Sequence, residues 1–162
     1  VADQWKIQVL YIPTVLSSII LPIISNQNNK NDFCRTIKIN LIINIITTLI
    51  ISSIVALLCN VILRGYGHEF AKDNVPFLIL NYTTLLISVS NIIMPILISK
   101  NRVVEGLFFN IISSVIILLC GMAFIDRGMG ALGLSIALLL SYLVVVPLEF
   151  LYIYYKKKSV WN

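Results

Sequence analysis

Five long apolar stretches, separated by short polar segments, set the strongest limit on what this chain can fold into. They cover residues 7–24, 37–63, 75–98, 103–124 and 131–155. A helix rises 1.5 Å per residue, so about 20 apolar residues cross a hydrocarbon core of ~30 Å. The stretches lack the alternation of apolar and polar positions that barrel strands need. The sequence therefore predicts an all-α, polytopic transmembrane bundle, with five spans forming one unit over residues 1–162.

The composition limits the chemistry of the chain. Charged residues make up 12% of it, whereas soluble domains carry about 25%. Its three cysteines, Cys34, Cys59 and Cys120, lie far apart and fit neither a disulfide framework nor a zinc site. Because there is one histidine and no paired carboxylates, we expect neither an enzyme nor a metal or cofactor. The net charge is +5, but the basic residues that produce it lie beside the spans rather than on one soluble face, so no nucleic-acid partner is expected.

The positions of the twelve Lys and Arg residues predict the orientation in the membrane. If the span ends alternate sides, one side carries Lys30, Arg35, Lys38, Lys100, Arg102, Lys156, Lys157 and Lys158, and the other carries Lys6, Arg64, Lys72 and Arg127. Positive residues favour the cytoplasmic side, so the C-terminus is predicted to be cytoplasmic. Because the chain begins at Val1, without Met or a cationic leader, we expect it to be a C-terminal fragment of a larger protein.

Three segments together resemble a known family. They are LYIPTVLSSIILPIIS (residues 10–25), GYGHEF (residues 65–70) and ALGLSIALLLSY (residues 131–142). In order and spacing they resemble the polysaccharide flippases of the MOP superfamily, which export O-antigen and exopolysaccharide repeat units and are related to the MATE drug exporters. The resemblance implies the C-terminal lobe of a transporter with twelve to fourteen helices, located in a bacterial inner membrane.

The resemblance also implies a function in polysaccharide and lipopolysaccharide biosynthesis. The expected substrate is an undecaprenyl-diphosphate-linked oligosaccharide, flipped across the membrane by alternating access. Expected partners are this substrate, membrane lipids, and polysaccharide polymerases and chain-length regulators. Three alternatives stay open: a MATE-type cation-coupled multidrug antiporter, a membrane enzyme of polysaccharide assembly, and a structural or assembly subunit.

Polar residues within or beside the spans are the candidates for a substrate cavity. They are Lys6, Gln8, Asn40, Asn44, Asn81, Asn91 and Asn110. Amides can bind a sugar head group inside a membrane without the cost of burying a charge. For each asparagine the alternative is a structural hydrogen bond between helices. If the cavity exists, these amides should face one another rather than lipid.

Four residues are candidates for coupling or gating: Glu149, Arg64, Pro13 and Pro95. Glu149 is the only acid well inside a span, and the two prolines could act as hinges or as simple packing kinks. His68 lies in the segment RGYGHEFAKDNVPF, which we interpret as a turn between two spans, with proton coupling as the alternative. Lys156, Lys157 and Lys158 are interpreted as a contact for anionic lipid.

Overall fold

The computed structural model describes residues 1–26, 30–67 and 74–155, apart from the side chains of Leu21 and Lys30. These residues form the helices α1 (Ala2–Ser25), α2 (Lys30–Leu57), α3 (Cys59–Tyr66), α4 (Val75–Ser99), α5 (Val103–Asp126) and α6 (Gly130–Tyr155). No strand occurs in these ranges. Five helices are long and apolar enough to cross a membrane, so the prediction of an all-α, multi-pass membrane protein is confirmed.

The helix bounds follow the apolar stretches closely in the second half of the chain. The helices α4, α5 and α6 cover the predicted spans 75–98, 103–124 and 131–155 almost residue for residue. The first helix begins at Ala2 rather than at residue 7. Its extra turn holds Asp3 and Lys6, which form an ion pair one turn apart and keep this polar end helical.

The second span differs more from its predicted limits, 37–63. The helix α2 begins earlier, at Lys30, with Asp32 in its first turn, where a negative charge suits the helix dipole. It then ends at Leu57, and α3 follows directly. Leu58, between them, keeps right-handed helical geometry, and its N–H donates to the carbonyl of Ile54 at 3.0 Å. The junction is therefore a local irregularity in a nearly continuous helix.

The helix α4 lies at the centre of the bundle. It contacts α1 and α2 on one side and α5 and α6 on the other. Two apolar clusters hold the first side, formed by Ile20, Ile24, Phe33, Ile37, Ile92 and Ile96 and by Val9, Val55, Cys59, Leu63 and Phe77. A third cluster, of Ile93, Leu97, Phe109 and Val145, holds the second side. The polar residues Asn81, Thr83, Thr84 and Ser88 of α4 are therefore buried against protein.

The helices α5 and α6 form an antiparallel hairpin whose turn requires glycine. Gly128 and Gly130 have φ angles of 77° and 50°, values that disfavour residues with a side chain. Gly133 lies so close to Phe124 that an added Cβ would stand 2.6 Å from the Phe124 Cβ. The small residues at this turn therefore allow the two helices to approach closely.

Candidate functional site

A line of polar side chains crosses the apolar bundle where α1, α2 and α4 meet. We call it the polar seam, and it consists of Ser17 on α1, Asn40, Asn44, Thr48 and Ser52 on α2, and Asn81, Thr84 and Ser88 on α4. The four residues of α2 are spaced four apart and so share one helix face. All eight are buried except Asn40, which is half-buried. These side chains therefore point into the bundle, and their role as cavity liners stays a prediction.

One hydrogen bond of the seam joins two helices. The Asn81 Nδ2 donates to the backbone carbonyl of Ser52 at 2.7 Å, and this bond fixes α4 against α2. The other bonds stay within a helix: Asn44 Nδ2 donates to Asn40 Oδ1 at 2.9 Å, and Thr48 Oγ1 donates to the Asn44 carbonyl at 2.7 Å. Hydroxyls that bond to their own helix are satisfied locally and need no partner across the interface.

Several buried atoms of the seam retain unused hydrogen-bonding capacity. Ser17 Oγ, Asn40 Nδ2, Asn44 Oδ1 and Asn81 Oδ1 are buried and have no hydrogen-bond partner among the described residues. A buried polar group left unsatisfied costs about 1–3 kcal/mol, so such groups are usually explained by water or a ligand. The seam can therefore accept and donate hydrogen bonds to a polar group that enters the bundle.

Glu149 is buried at the interface between α4 and α6, on the other side of α4. Its side chain is 6% exposed, and its Oε1 accepts a hydrogen bond from Ser90 Oγ at 2.8 Å. Its Oε2 has no hydrogen-bond partner among the described residues. No Lys, Arg or His of the described ranges pairs with it. A charge inside a membrane costs at least ~2.5 kcal/mol, so this carboxyl is a candidate for binding a proton or a cation.

A charged network that the sequence analysis did not single out joins the beginning of α5 to the end of α6. Arg102 Nη1 donates to Tyr152 Oη at 2.8 Å, and Tyr152 Oη donates to Glu105 Oε1 at 3.0 Å. The Tyr152 ring also packs edge-on against Phe109, with ring centroids 5.6 Å apart. The spacing of Arg102 and Glu105, three apart, was the one local signal for this network.

The remaining predicted site residues lie apart from the seam. Gln8, Arg64 and Asn110 are exposed on the helix surfaces, and Asn91 is half-buried on α4. Lys6 is half-buried and paired with Asp3. His68, Lys72, Lys156, Lys157 and Lys158 lie outside the described residues.

Pro13 and Pro95, the two proline candidates for gating, lie in different surroundings. Pro13 is fully buried in α1, whereas Pro95 is half-buried in α4. Both lie inside helices that continue past them. Because proline has no N–H, each leaves the carbonyl four residues earlier without its usual helical donor. Pro13 therefore frees the carbonyl of Val9 on the buried side of α1.

The exposed side of α1 carries a second polar surface. Gln4, Gln8, Thr14 and Ser18 are all exposed and cluster toward one side of the helix, next to the exposed Tyr11. The exposed apolar residues Ile7, Ile12, Val15, Ile19 and Ile23 lie between and beside them. A helix surrounded only by lipid exposes apolar residues and hides amides and hydroxyls. We call this mixed surface the α1 polar face, and its amides and hydroxyls can bind a polar neighbour.

Comparison with known proteins adds no relative: no family model, no curated protein and no solved structure matches the chain. Within the described ranges, no group of three or more His, Cys, Asp or Glu side chains could hold a metal ion. The polar seam, the α1 polar face and Glu149 are therefore the features on which a functional proposal can rest.

Proposed function

We propose that this chain forms part of a MOP-type flippase that moves an undecaprenyl-diphosphate-linked oligosaccharide across the bacterial cytoplasmic membrane by alternating access. The observation that carries the proposal is the polar seam, in which Ser17, Asn40, Asn44 and Asn81 hold buried atoms without described partners. A sugar head group cannot cross hydrocarbon unless other groups replace its hydrogen bonds to water. Amides and hydroxyls supply those bonds without a permanent buried charge.

The α1 polar face supports the same proposal from the outside of the bundle. A transporter that alternates between two openings needs a polar surface against which another part of the protein can open and close. Gln8 and Ser18 lie on that face, and Lys6 stands near its beginning. We assign this face to the substrate cavity and the polar seam to the layer immediately behind it.

The orientation belongs to the proposal as well. Lys38, Lys100 and Arg102 stand at one end of the bundle, and Arg64 and Arg127 stand at the other. By the positive-inside rule, the end with Lys38 is cytoplasmic, and so is the C-terminus. A reporter active only in the cytoplasm, fused after Asn162, should be active. Activity of a periplasmic reporter alone at that position would contradict the proposed orientation.

The function is tested by replacing an amide of the seam in cells that depend on this protein for a surface glycan. Asn44→Ala removes the carbonyl oxygen that has no partner and should reduce the surface glycan several-fold. Lipid-linked oligosaccharide should then accumulate in the inner leaflet. The matched control is Asn110→Ala, which removes the same amide from the exposed side of α5 and should leave export unchanged.

Membrane abundance of both variants must be measured alongside export, since Asn44 is fully buried. If abundance falls, Asn44→Ser provides a second variant that keeps a small polar group at this position. Normal export by well-expressed Asn44 variants would contradict a transport role for the seam. Loss of export without accumulation of the lipid-linked oligosaccharide would contradict this substrate.

A second candidate function rests on Glu149. A buried carboxyl with one unpartnered oxygen suits proton or sodium coupling, as in a MATE-type drug antiporter. Under this alternative, Glu149→Gln should abolish cation-driven drug efflux, while Glu105→Gln, at the half-buried start of α5, should preserve it. If cells that carry the native protein show no drug efflux, this second candidate function is excluded.

A further inference from the structure

A groove runs along the side of the bundle between α2 and α6, with α4 as its floor. Its volume is about 540 Å³, within the range of sites that hold small ligands. Leu41 and Ile42 form the α2 wall, Ile92 lies on the floor, and Phe150 and Ile153 form the α6 wall. The helices α2 and α6 each pack against α4, and the groove is the space left between them. This surface is shaped for an apolar chain.

One end of the groove is basic. Lys38 is the only charged residue among the described residues that line it. Lys38 also borders a shallow polar depression on α2, together with Asn31 and Arg35. Within the described ranges, neither Lys38 nor Arg35 forms an ion pair with a carboxylate. An apolar groove and a basic depression therefore share one residue, Lys38.

A further cation stands near the same end. Lys100, at the end of α4, places its Nζ 4.6 Å from the ring centroid of Phe33, one turn before Ile37 on α2. This cation–π contact holds a positive charge beside the beginning of α2. The positive potential at this end therefore comes from two helices.

We propose that the groove binds an anionic phospholipid of the leaflet that adjoins Lys38. One acyl chain lies along Leu41 and Ile92, and the phosphate lies between Lys38 and Arg35. Charge complementarity selects this occupant, because basic pockets between membrane helices on the positive side attract anionic head groups. A neutral lipid would fill the apolar groove but would leave both cations without a counter-ion. The site does not depend on the chain being a transporter.

Tryptophan fluorescence and lipids with brominated acyl chains provide the test. The reporter is Ile42→Trp in the full chain, with Trp5 and Trp161 replaced by Phe. Ile42 lines the groove and is half-exposed, so a larger side chain fits there without disturbing the core. The control reporter is Ile111→Trp on the exposed face of α5. Ile111 follows Gly106, which packs against Met94 on α4, by about one and a half turns, and Ile42 precedes Ser52, which bonds to Asn81 on α4, by about three turns. Both reporters therefore lie at a similar depth beside α4.

The measured quantity is the quenching by brominated phosphatidylglycerol relative to brominated phosphatidylcholine in reconstituted vesicles. Each basic residue near a membrane surface contributes roughly a fivefold preference for anionic lipid. The Ile42→Trp reporter should therefore favour phosphatidylglycerol by about fivefold or more, and Ile111→Trp should show nearly equal quenching by the two lipids. High salt should reduce the preference at the groove.

Two further variants test the role of the basic residues. Lys38→Ala with Arg35→Ala should remove the preference at the Ile42→Trp reporter, whereas Arg127→Ala, an exposed cation at the other end of the bundle, should leave it unchanged. Equal quenching by the two lipids at Ile42→Trp would overturn the proposal, since the groove would then hold only bulk lipid. A preference that survives the loss of Lys38 and Arg35 would also overturn it.

Discussion

The outer faces of α1 and α5 are both exposed, but Gln4, Gln8, Thr14 and Ser18 interrupt the apolar surface of α1, whereas Asn110 and Ser114 interrupt that of α5. On α1, the exposed surface includes Gln4, Gln8 and Ser18, whereas its buried side is mostly apolar. On α5, the exposed surface is dominated by long apolar side chains, namely Val104, Leu107, Ile111, Val115, Leu118 and Met122. Exposure in a membrane protein therefore has two meanings. The α5 face suits lipid, and the α1 polar face suits water or a polar protein surface.

The two helices also differ in what lies on their buried sides. The polar seam lies on the buried side of α1, where Ser17 is the α1 residue of the seam and Asn81 joins α4 to α2. Behind the outer face of α5, Ser113 bonds to Ser141 of α6, Glu105 bonds to Arg102 and Tyr152 at one end, and the other described contacts are made by apolar and small residues. Under the proposed function, the first half of the bundle lines the substrate path and the outer face of α5 meets lipid.

The largest expected effect comes from placing one charge at the middle of each face. Thr14 and Val115 are matched positions, since both are exposed and both are the thirteenth residue of a helix of 24 residues. Val115→Arg should destabilise the protein by about 2.5–3.5 kcal/mol, the cost of an arginine at the centre of a membrane helix. Thr14→Arg should cost far less, because its neighbour is polar. Equal losses in unfolding experiments on both variants would remove the distinction between the faces.

An intermediate effect is expected from the amides of the two regions. Asn81→Leu removes the bond to the Ser52 carbonyl and should cost about 0.6–2 kcal/mol, the usual range for hydrogen bonds between membrane helices. Asn110→Leu changes an amide on the outer side of α5 and should alter stability by less than about 0.5 kcal/mol. Reversible unfolding in mild detergent measures both. A costly Asn110→Leu would show that α5 also has a polar neighbour.

The smallest expected effect concerns two serines in the same local arrangement. Ser18 Oγ donates to the Val15 carbonyl at 2.8 Å, Ser114 Oγ donates to the Asn110 carbonyl at 2.9 Å, and both serines are exposed. Ser114→Leu should stabilise the folded protein in a bilayer by about 0.5 kcal/mol, since leucine favours lipid. Ser18→Leu should give no such gain. Reversible unfolding of the two full-length variants compares them, and an equal gain at Ser18 would indicate that α1 faces lipid.

The bundle could be predicted from the sequence because its signal is local. Long apolar runs fix where helices cross a membrane, so the limits of α4, α5 and α6 follow directly. The α2 part of the seam was also within reach, because Asn40 and Asn44 stand four apart on one face. The early beginnings of α1 and α2 were missed, because their polar first turns do not belong to an apolar run.

The pairing of side chains between helices could not be predicted. Ser90 and Glu149 are 59 positions apart, and Arg102 and Tyr152 are 50 apart, so their contacts depend on how whole helices pack. The two sides of α1 were equally hidden. Ser17 is buried and Ser18 is exposed, although they are identical neighbours in the sequence. The rotation of a helix about its axis decides which serine enters the seam, and α1 has polar residues on both sides.

Cysteine labelling at positions 18 and 114 distinguishes a polar surface on α1 from a lipid-facing one. Ser18→Cys and Ser114→Cys are introduced separately into a chain whose three native cysteines are replaced by alanine, and a hydrophilic maleimide is applied to intact membranes. A thiol reacts as the thiolate, which forms in contact with water and not in hydrocarbon. The cysteine at position 18 should react rapidly with the maleimide, and the cysteine at position 114 should be protected from it. Equal protection of both cysteines in the folded protein would contradict a polar path beside α1.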